Sequence, residues 1–176
     1  MIHIYCGDGK GKTTAAMGLA IRAAGRGKKI VIARFLKTDD SGEVPVLAAV
    51  PGIRVLPCEK TFGFYFRMTD QQKAEAGAYY RELLEKAFAE AAREQADMVI
   101  LDEIMAALGY NLADEERLIE LMEVFCPDDR REERELILTG RNPSERLLSM
   151  ADYVTEMKMV RHPYEKGIMA RTGIEY

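Results

Sequence analysis

Apolar residues along this chain follow two rhythms, short unbroken runs and longer stretches spaced at three to four residues, and the two alternate from one end to the other. Ile2 to Tyr5 is a short run that ends in a glycine-rich turn, which predicts a strand. Thr13 to Ala24 then places Met17, Leu19, Ala20 and Ala23 at helical spacing, and Gly25 and Gly27 stop the helix. Lys29 to Phe35 holds Ile30, Val31 and Ile32 in succession, a strand suited to cover on both faces. Thr38 to Gly52 is punctuated by Gly and Pro. Ile53 to Leu56 is a further short strand, and Glu59 to Met68 is a loop crowded with aromatics. Thr69 with Gln72 forms a capping-box pattern at the head of a long helix reaching about Gln95. Met98 to Leu101 is a buried-strand run ending at Asp102 and Glu103. Glu115 to Val124 is a helix closed by Pro127, and Leu136 to Leu138 a strand. Asn142-Pro143-Ser144-Glu145 reads as a cap with Pro at the first helical position, and Tyr153 to Met159 as the last strand.

Strands alternating with helices at this spacing predict an α/β fold with a mostly parallel sheet flanked by helices. With 176 residues, 48% of them hydrophobic, the chain suits one core, so a single domain over 1–176 is expected. The charged residues make up 31% with both signs interspersed, and the formal net charge of -4 argues against a binder of long nucleic acid. No apolar run approaches the roughly 20 residues that cross a bilayer, and the first residues are strand-like rather than a signal segment, so a cytoplasmic protein is expected. Cys6, Cys58 and Cys126 lie far apart without a CxxC pair and are expected as small buried hydrophobes. His3 and His162 are too few for a multi-histidine metal centre within one chain.

Candidate chemistry gathers first at Gly7-Asp8-Gly9-Lys10-Gly11-Lys12-Thr13-Thr14, between the first strand and the first helix. Glycines let successive backbone N–H groups face one anion, the helix N-terminus adds positive potential, Lys12 reaches phosphate oxygens, and the Thr13 hydroxyl can ligate Mg²⁺. Against the pattern G-x-x-x-x-G-K-[ST], Gly11, Lys12 and Thr13 match, whereas Cys6 takes the opening glycine position. Asp102 and Glu103, at the end of a buried strand, resemble a Walker B segment that would hold the Mg²⁺. Arg141, in Thr139-Gly140-Arg141 at the end of another strand, is a candidate phosphate clamp. Together these features describe a P-loop NTPase fold of the RecA-like kind. They leave kinase, ATPase and transferase open.

A resemblance over nearly the whole chain separates those readings. The loop from Gly7 to Ala16, Phe35-Leu36-Lys37, Ser41-Gly42-Glu43, Gly63-Phe64-Tyr65-Phe66, Leu101-Asp102-Glu103, Thr139-Gly140-Arg141 and Ala151-Asp152-Tyr153-Val154-Thr155-Glu156-Met157 resemble, in order and spacing, the P-loop type of ATP:corrinoid adenosyltransferases. So does the tail, from Arg161-His162-Pro163-Tyr164 through Gly167 to Gly173-Ile174-Glu175-Tyr176. The resemblance implies that a Co(I) corrinoid attacks the ribose 5′ carbon of ATP and expels inorganic triphosphate. ATP would lie in the loop in reverse of the usual sense, contacting Gly7 to Thr14, Lys37 and Arg141. Lys12, Thr13 and Arg141 would neutralise the departing triphosphate, with Thr13, Asp102 and Glu103 around Mg²⁺. The work is positioning and electrostatics, with no catalytic Ser, Cys or His.

By the same resemblance, Phe64 and Phe66 take the two aromatic positions that pack against the corrin and exclude the lower axial ligand of cobalt, making Co(II) easier to reduce. The residues alone also allow a loop pinned to the core by its aromatics. An electron donor of the flavodoxin or flavin reductase class and a homodimer are implied as partners. Three departures stand out. Phe66 occupies a position where the family commonly carries Trp, Cys6 one where relatives often have Thr, and the first strand begins at Ile2, where many relatives have an extension that covers the site. A γ-phosphate kinase or ATPase, and a module that delivers or senses the cofactor without catalysis, are the alternatives.

Overall fold

A computed structural model describes residues 1–174, so Glu175 and Tyr176 of the tail resemblance lie outside the described residues. Among the described residues, six strands join in one sheet: β1 (Ile2–Cys6), β2 (Ile30–Arg34), β3 (Ile53–Val55), β4 (Met98–Asp102), β5 (Glu135–Thr139) and β6 (Tyr153–Glu156). Their order is β3-β2-β4-β5-β1-β6, and every neighbouring pair is parallel, where the sequence predicts a mostly parallel sheet. Six helices accompany them, α1 (Lys12–Ala24), α2 (Glu43–Ala48), α3 (Asp70–Glu94), α4 (Ile104–Gly109), α5 (Glu115–Phe125) and α6 (Glu145–Met150).

Strand periodicity sorts the core onto the two faces of this sheet. Ile30, Ile32, Met98, Ile100 and Ile137 meet Ala16, Met17 and Ala20 of α1 and Leu47 of α2 on one face. The alternate residues Val31, Ala33, Val99, Leu101, Leu136 and Leu138 meet α3, α5 and α6 on the other. Cover on both sides is why β2 and β4 read as unbroken apolar runs, and each such side chain contributes about 1.5–3 kcal/mol on burial. β6, at the edge, is exposed along its length.

The long helix begins as its cap predicts. The Thr69 hydroxyl accepts the Gln72 N–H at 3.2 Å, and the Gln72 side chain accepts the Thr69 N–H at 2.9 Å. Other elements depart from the pattern. α2 lies within the Gly- and Pro-punctuated stretch, with Pro45 tolerated in its first turn, where no intrahelical N–H bond is lost. α4 follows β4 at once, because Glu103 turns the chain in the left-handed region at φ 60°. Helix α6 is capped by Ser144, whose hydroxyl accepts the Leu147 N–H at 3.2 Å, so Pro143 precedes the cap instead of opening the helix. β6 ends at Glu156, short of Met159, because the chain beyond it turns onto the glycine-rich loop. Cys6 and Cys126 are buried as expected, whereas Cys58 is half-buried and bonded to Arg34. No helix among the described residues is long and apolar enough to cross a membrane.

Thr69→Ala removes the cap of the longest helix and is expected to lower stability by about 1 kcal/mol. Urea unfolding should show a lower midpoint at an unchanged slope.

Candidate active site

Parallel strands all deliver their carboxyl ends to one edge, and the register aligns those ends closely. Arg34 of β2 lies beside Asp102 of β4, Leu101 beside Leu138 of β5, and Thr139 beside Tyr5 of β1. Asp102 is fully buried at the middle of this edge. Its Oδ1 accepts the Thr13 hydroxyl at 2.9 Å and the Thr139 hydroxyl at 2.7 Å, and the Lys37 ammonium stands 3.4 Å from Oδ2. Lys37 also donates to the Thr13 Oγ1 at 3.2 Å. A buried carboxylate is tolerated only when its lone pairs are met in this way. Thr139 Oγ1 in turn accepts the Glu103 N–H at 2.9 Å, which fixes the turn where β4 becomes α4. One aspartate thereby ties β4, β5, the start of α1 and the segment after β2.

The glycine-rich loop runs from Gly7 to Gly11, with φ at 102° and 117° at its two ends, a path that side-chain-bearing residues rarely take. Lys12 is buried beneath it and donates to the Gly7 and Gly9 carbonyls, each at 2.8 Å. Burial pushes the Lys12 ammonium below its ordinary pKa, against the attraction of Glu103. Outside, the segment after β6 clasps the loop. Gly9 N–H donates to the Met157 carbonyl at 2.6 Å, and the Met159 N–H donates to the Asp8 carboxylate at 2.9 Å. That second bond, above all, holds the Asp8 carboxyl below its usual range. Arg141 is exposed and reaches the Asp8 carbonyl at 3.5 Å.

These groups line a cleft of about 820 Å³. Asp8, Gly9, Lys10, Gly11, Lys12, Thr13 and Thr14 form its floor, Lys37, Glu103 and Arg141 one side, and Ser41 to Glu43 another. His162, Gly173 and Ile174 of the tail also line it. Of the residues expected around a triphosphate, Gly7 and the buried Asp102 are outside the lining but stand directly behind it. The aromatic loop divides in two. Phe62 packs against Tyr79 and Tyr80, and Tyr65 stacks on Tyr110 at 4.2 Å between centroids, so these two pin it. Phe64 and Phe66 stack on each other at 5.5 Å and remain 66% and 75% exposed, with Arg67 within cation–π range of both. Tyr110 closes α4, the helix headed by Glu103, so the loop is anchored on the same edge as the cleft.

Sequence reasoning missed the part played by four residues. Thr139 bridges Asp102 and Glu103, and its signal was a hydroxyl ending an otherwise apolar strand. Met157 and Met159 act through backbone atoms, which no residue pattern announces. Arg34 is a fully buried arginine at the end of the apolar run IVIA, a mismatch visible in the sequence.

A strand, glycine loop and helix with a lysine under the loop, facing a buried aspartate on a neighbouring strand end, define a P-loop nucleotide-binding protein of RecA-like α/β fold. Chain tracing agrees: EssC (ATPases 2 and 3) from Geobacillus thermodenitrificans superimposes with a TM-score of 0.50 at 14% identity. That match covers 98% of this chain, which spans about a third (34%) of the EssC chain. The family model of the ATP:corrinoid adenosyltransferases BtuR/CobO/CobP matches residues 1–176, and the chain belongs to this family. It is 32% identical over 177 residues to the corrinoid adenosyltransferase of Escherichia coli (strain K12), covering all of this chain and 85% of that protein. The corrinoid adenosyltransferase of a Sinorhizobium species is 34% identical over 185 residues, covering 100% and 80% respectively.

Adding a methyl group at Gly7 would bring it to 2.5 Å from the Met157 carbonyl at a φ of 102°. Gly7→Ala should therefore cost about 1–3 kcal/mol and raise amide exchange at Met157 to Met159. Gly18→Ala, with open space around the added carbon, should leave the thermal midpoint unchanged or raise it.

Proposed function

We propose that this protein moves the 5′-deoxyadenosyl group of ATP onto the Co(I) of a corrinoid. The cobalt supplies the electron pair for a new carbon–cobalt bond, the C5′–O bond breaks, and inorganic triphosphate leaves with its electrons. One observation carries the reading beyond nucleotide binding: a stacked, solvent-exposed Phe64–Phe66 pair stands on the same edge of the sheet as the glycine-loop cleft. Two exposed aromatic rings held by two half-buried ones suit a flat apolar macrocycle. Membership of the adenosyltransferase family supports the same conclusion.

The nucleophile belongs to the substrate, so the protein's share is placement and charge. Lys12, Thr13, Lys37 and Arg141 are the groups we assign to the triphosphate, with backbone N–H groups from Gly7 to Thr14. Their cationic heads would meet charge that grows on the leaving group as the C5′–O bond lengthens. Lys12 suits this task because burial disfavours its ammonium, and an anion beside it would offset that cost. Magnesium with a nucleotide needs only a hydroxyl and one or two carboxylates beside the phosphates. Thr13, bonded to the buried Asp102, and Glu103 on the cleft wall offer that set, and no larger His, Cys, Asp and Glu cluster stands among the described residues. When bound there, the ion would screen triphosphate charge. We extend the reading to a homodimer that receives electrons for Co(II) from a flavodoxin or flavin reductase, on the family resemblance alone.

Incubation with ATP, Mg²⁺ and chemically reduced cobalamin should give the adenosylcobalamin absorbance spectrum and inorganic triphosphate in equal amounts. ADP as the product would instead establish γ-phosphate chemistry. Lys12→Ala should lower turnover by at least about 10²- to 10³-fold, as loss of a charge-stabilising donor does; a wild-type rate would remove the cleft from the mechanism. Phe64→Ala and Phe66→Ala should slow the reaction mainly when it starts from Co(II), and much less when Co(I) is supplied. Equal losses from both starting states would make the pair a structural feature only.

A further inference from the structure

The buried guanidinium of Arg34 takes no part in the chemistry above, and its surroundings are unusual. Arg34 ends β2, and its side chain is wholly buried. From that position it holds two separate loops. Nη1 donates to the Thr38 carbonyl at 2.7 Å, and Nη2 donates to the Asp39 carboxylate and to the Cys58 sulfur, the latter at 3.3 Å. Asp39 completes the link by accepting the Cys58 N–H at 3.1 Å. Burial pushes the Cys58 thiol up to about 11, so its sulfur is a neutral acceptor. The Arg34 Nε–H, also buried, has no hydrogen-bond partner among the described residues.

Each loop leads to a different half of the proposed site. Thr38 and Asp39 follow Lys37, whose ammonium lies against Thr13 and Asp102, and precede Ser41 to Glu43 on the cleft wall. Cys58 and Glu59 begin the strip that carries Phe62, Phe64 and Phe66, and the Glu59 N–H donates to the Tyr79 hydroxyl, beside which Phe62 packs. The nucleotide wall and the root of the aromatic loop thus share one anchor. Leu36, between Arg34 and Lys37, sits in the left-handed region at φ 54°, so this connection has little freedom to absorb movement alone. A planar fork with fixed donors transmits displacement where a flexible ammonium would not.

We propose that Arg34, with Asp39 and Cys58, is a positioning group that couples the two substrate loops, so that a nucleotide settling against Lys37 and Ser41 to Glu43 tightens the corrinoid platform. The inference rests on the adenosyltransferase reading and goes beyond it. Coupling of this kind is reciprocal, and commonly amounts to about 5- to 150-fold in affinity. Loss of fold stability alone would weaken binding without abolishing the factor between the two affinities.

The experiment measures the dissociation constant of cob(II)alamin with and without saturating MgATP, omitting any reductant so that no transfer occurs. Wild type should bind the corrinoid at least about fivefold more tightly with MgATP. In Arg34→Lys and Asp39→Ala the ratio should fall towards one, and MgATP affinity should lose its dependence on cob(II)alamin to the same degree. Asp39 is 45% exposed, so Asp39→Ala decides the matter if Arg34→Lys does not fold. A wild-type ratio of one, or a wild-type-sized ratio in Asp39→Ala, overturns the proposal. Adenosylation of chemically reduced cobalamin by the same wild-type preparation separates this failure from failure of the functional reading, which would show as no carbon–cobalt product.

Discussion

Everything at the carboxyl edge of this sheet depends on keeping one buried carboxylate satisfied. Asp102 lies where no water reaches, and an unpaired charge there would be far more costly than any single contact around it. Its three partners come from α1, from β5 and from the segment after β2. Meeting the electrostatic demand of that group therefore fixes the depth of the first helix, the turn at Glu103 and the position of Lys37 in one step. The cleft is a consequence of this arrangement, since its walls are the elements that Asp102 has drawn together.

Much of this was legible in the sequence because it depends on short-range rules. Buried parallel strands must be apolar on both faces, which betrayed β2 and β4. Thr69 and Gln72 satisfy each other across a single turn, and Gly11-Lys12-Thr13 has its meaning from its place between strand and helix. What escaped was decided by distant or backbone partners. Nothing local marks α4, since Ile104 to Gly109 could continue the strand until Glu103 bends the chain under the hold of Thr139. Likewise the early end of β6 reflects the pull of Gly9 on the Met157 carbonyl, a contact across 148 positions that involves no side chain. The start of α6 lies two residues beyond the expected one because Ser144, not Asn142, caps it.

The aromatic loop shows how the same residue type can serve two purposes within five positions. Four rings in one short segment look uniform in sequence, yet Phe62 and Tyr65 are held by Tyr79, Tyr80 and Tyr110 while Phe64 and Phe66 face outward. Rotation of the chain through the short Tyr65–Arg67 helical turn produces this division. The pinned rings hold the exposed ones in place, so a ligand seated on the apolar surface they present would find it already ordered and would lose less entropy on binding.

The contacts within the glycine-rich loop carry a kinetic consequence. Gly9 N–H already holds the Met157 carbonyl, and the Lys12 ammonium holds the Gly7 and Gly9 carbonyls. An anion that settles on these donors exchanges one set of bonds for another, so its net gain is smaller than a count of its contacts suggests. The displaced carbonyls stay tethered a few ångströms away as internal competitors at high effective concentration. They can retake each donor as the anion loosens. A highly charged ligand would thereby be kept from lingering, and the loop would reset itself for another cycle without help from solvent.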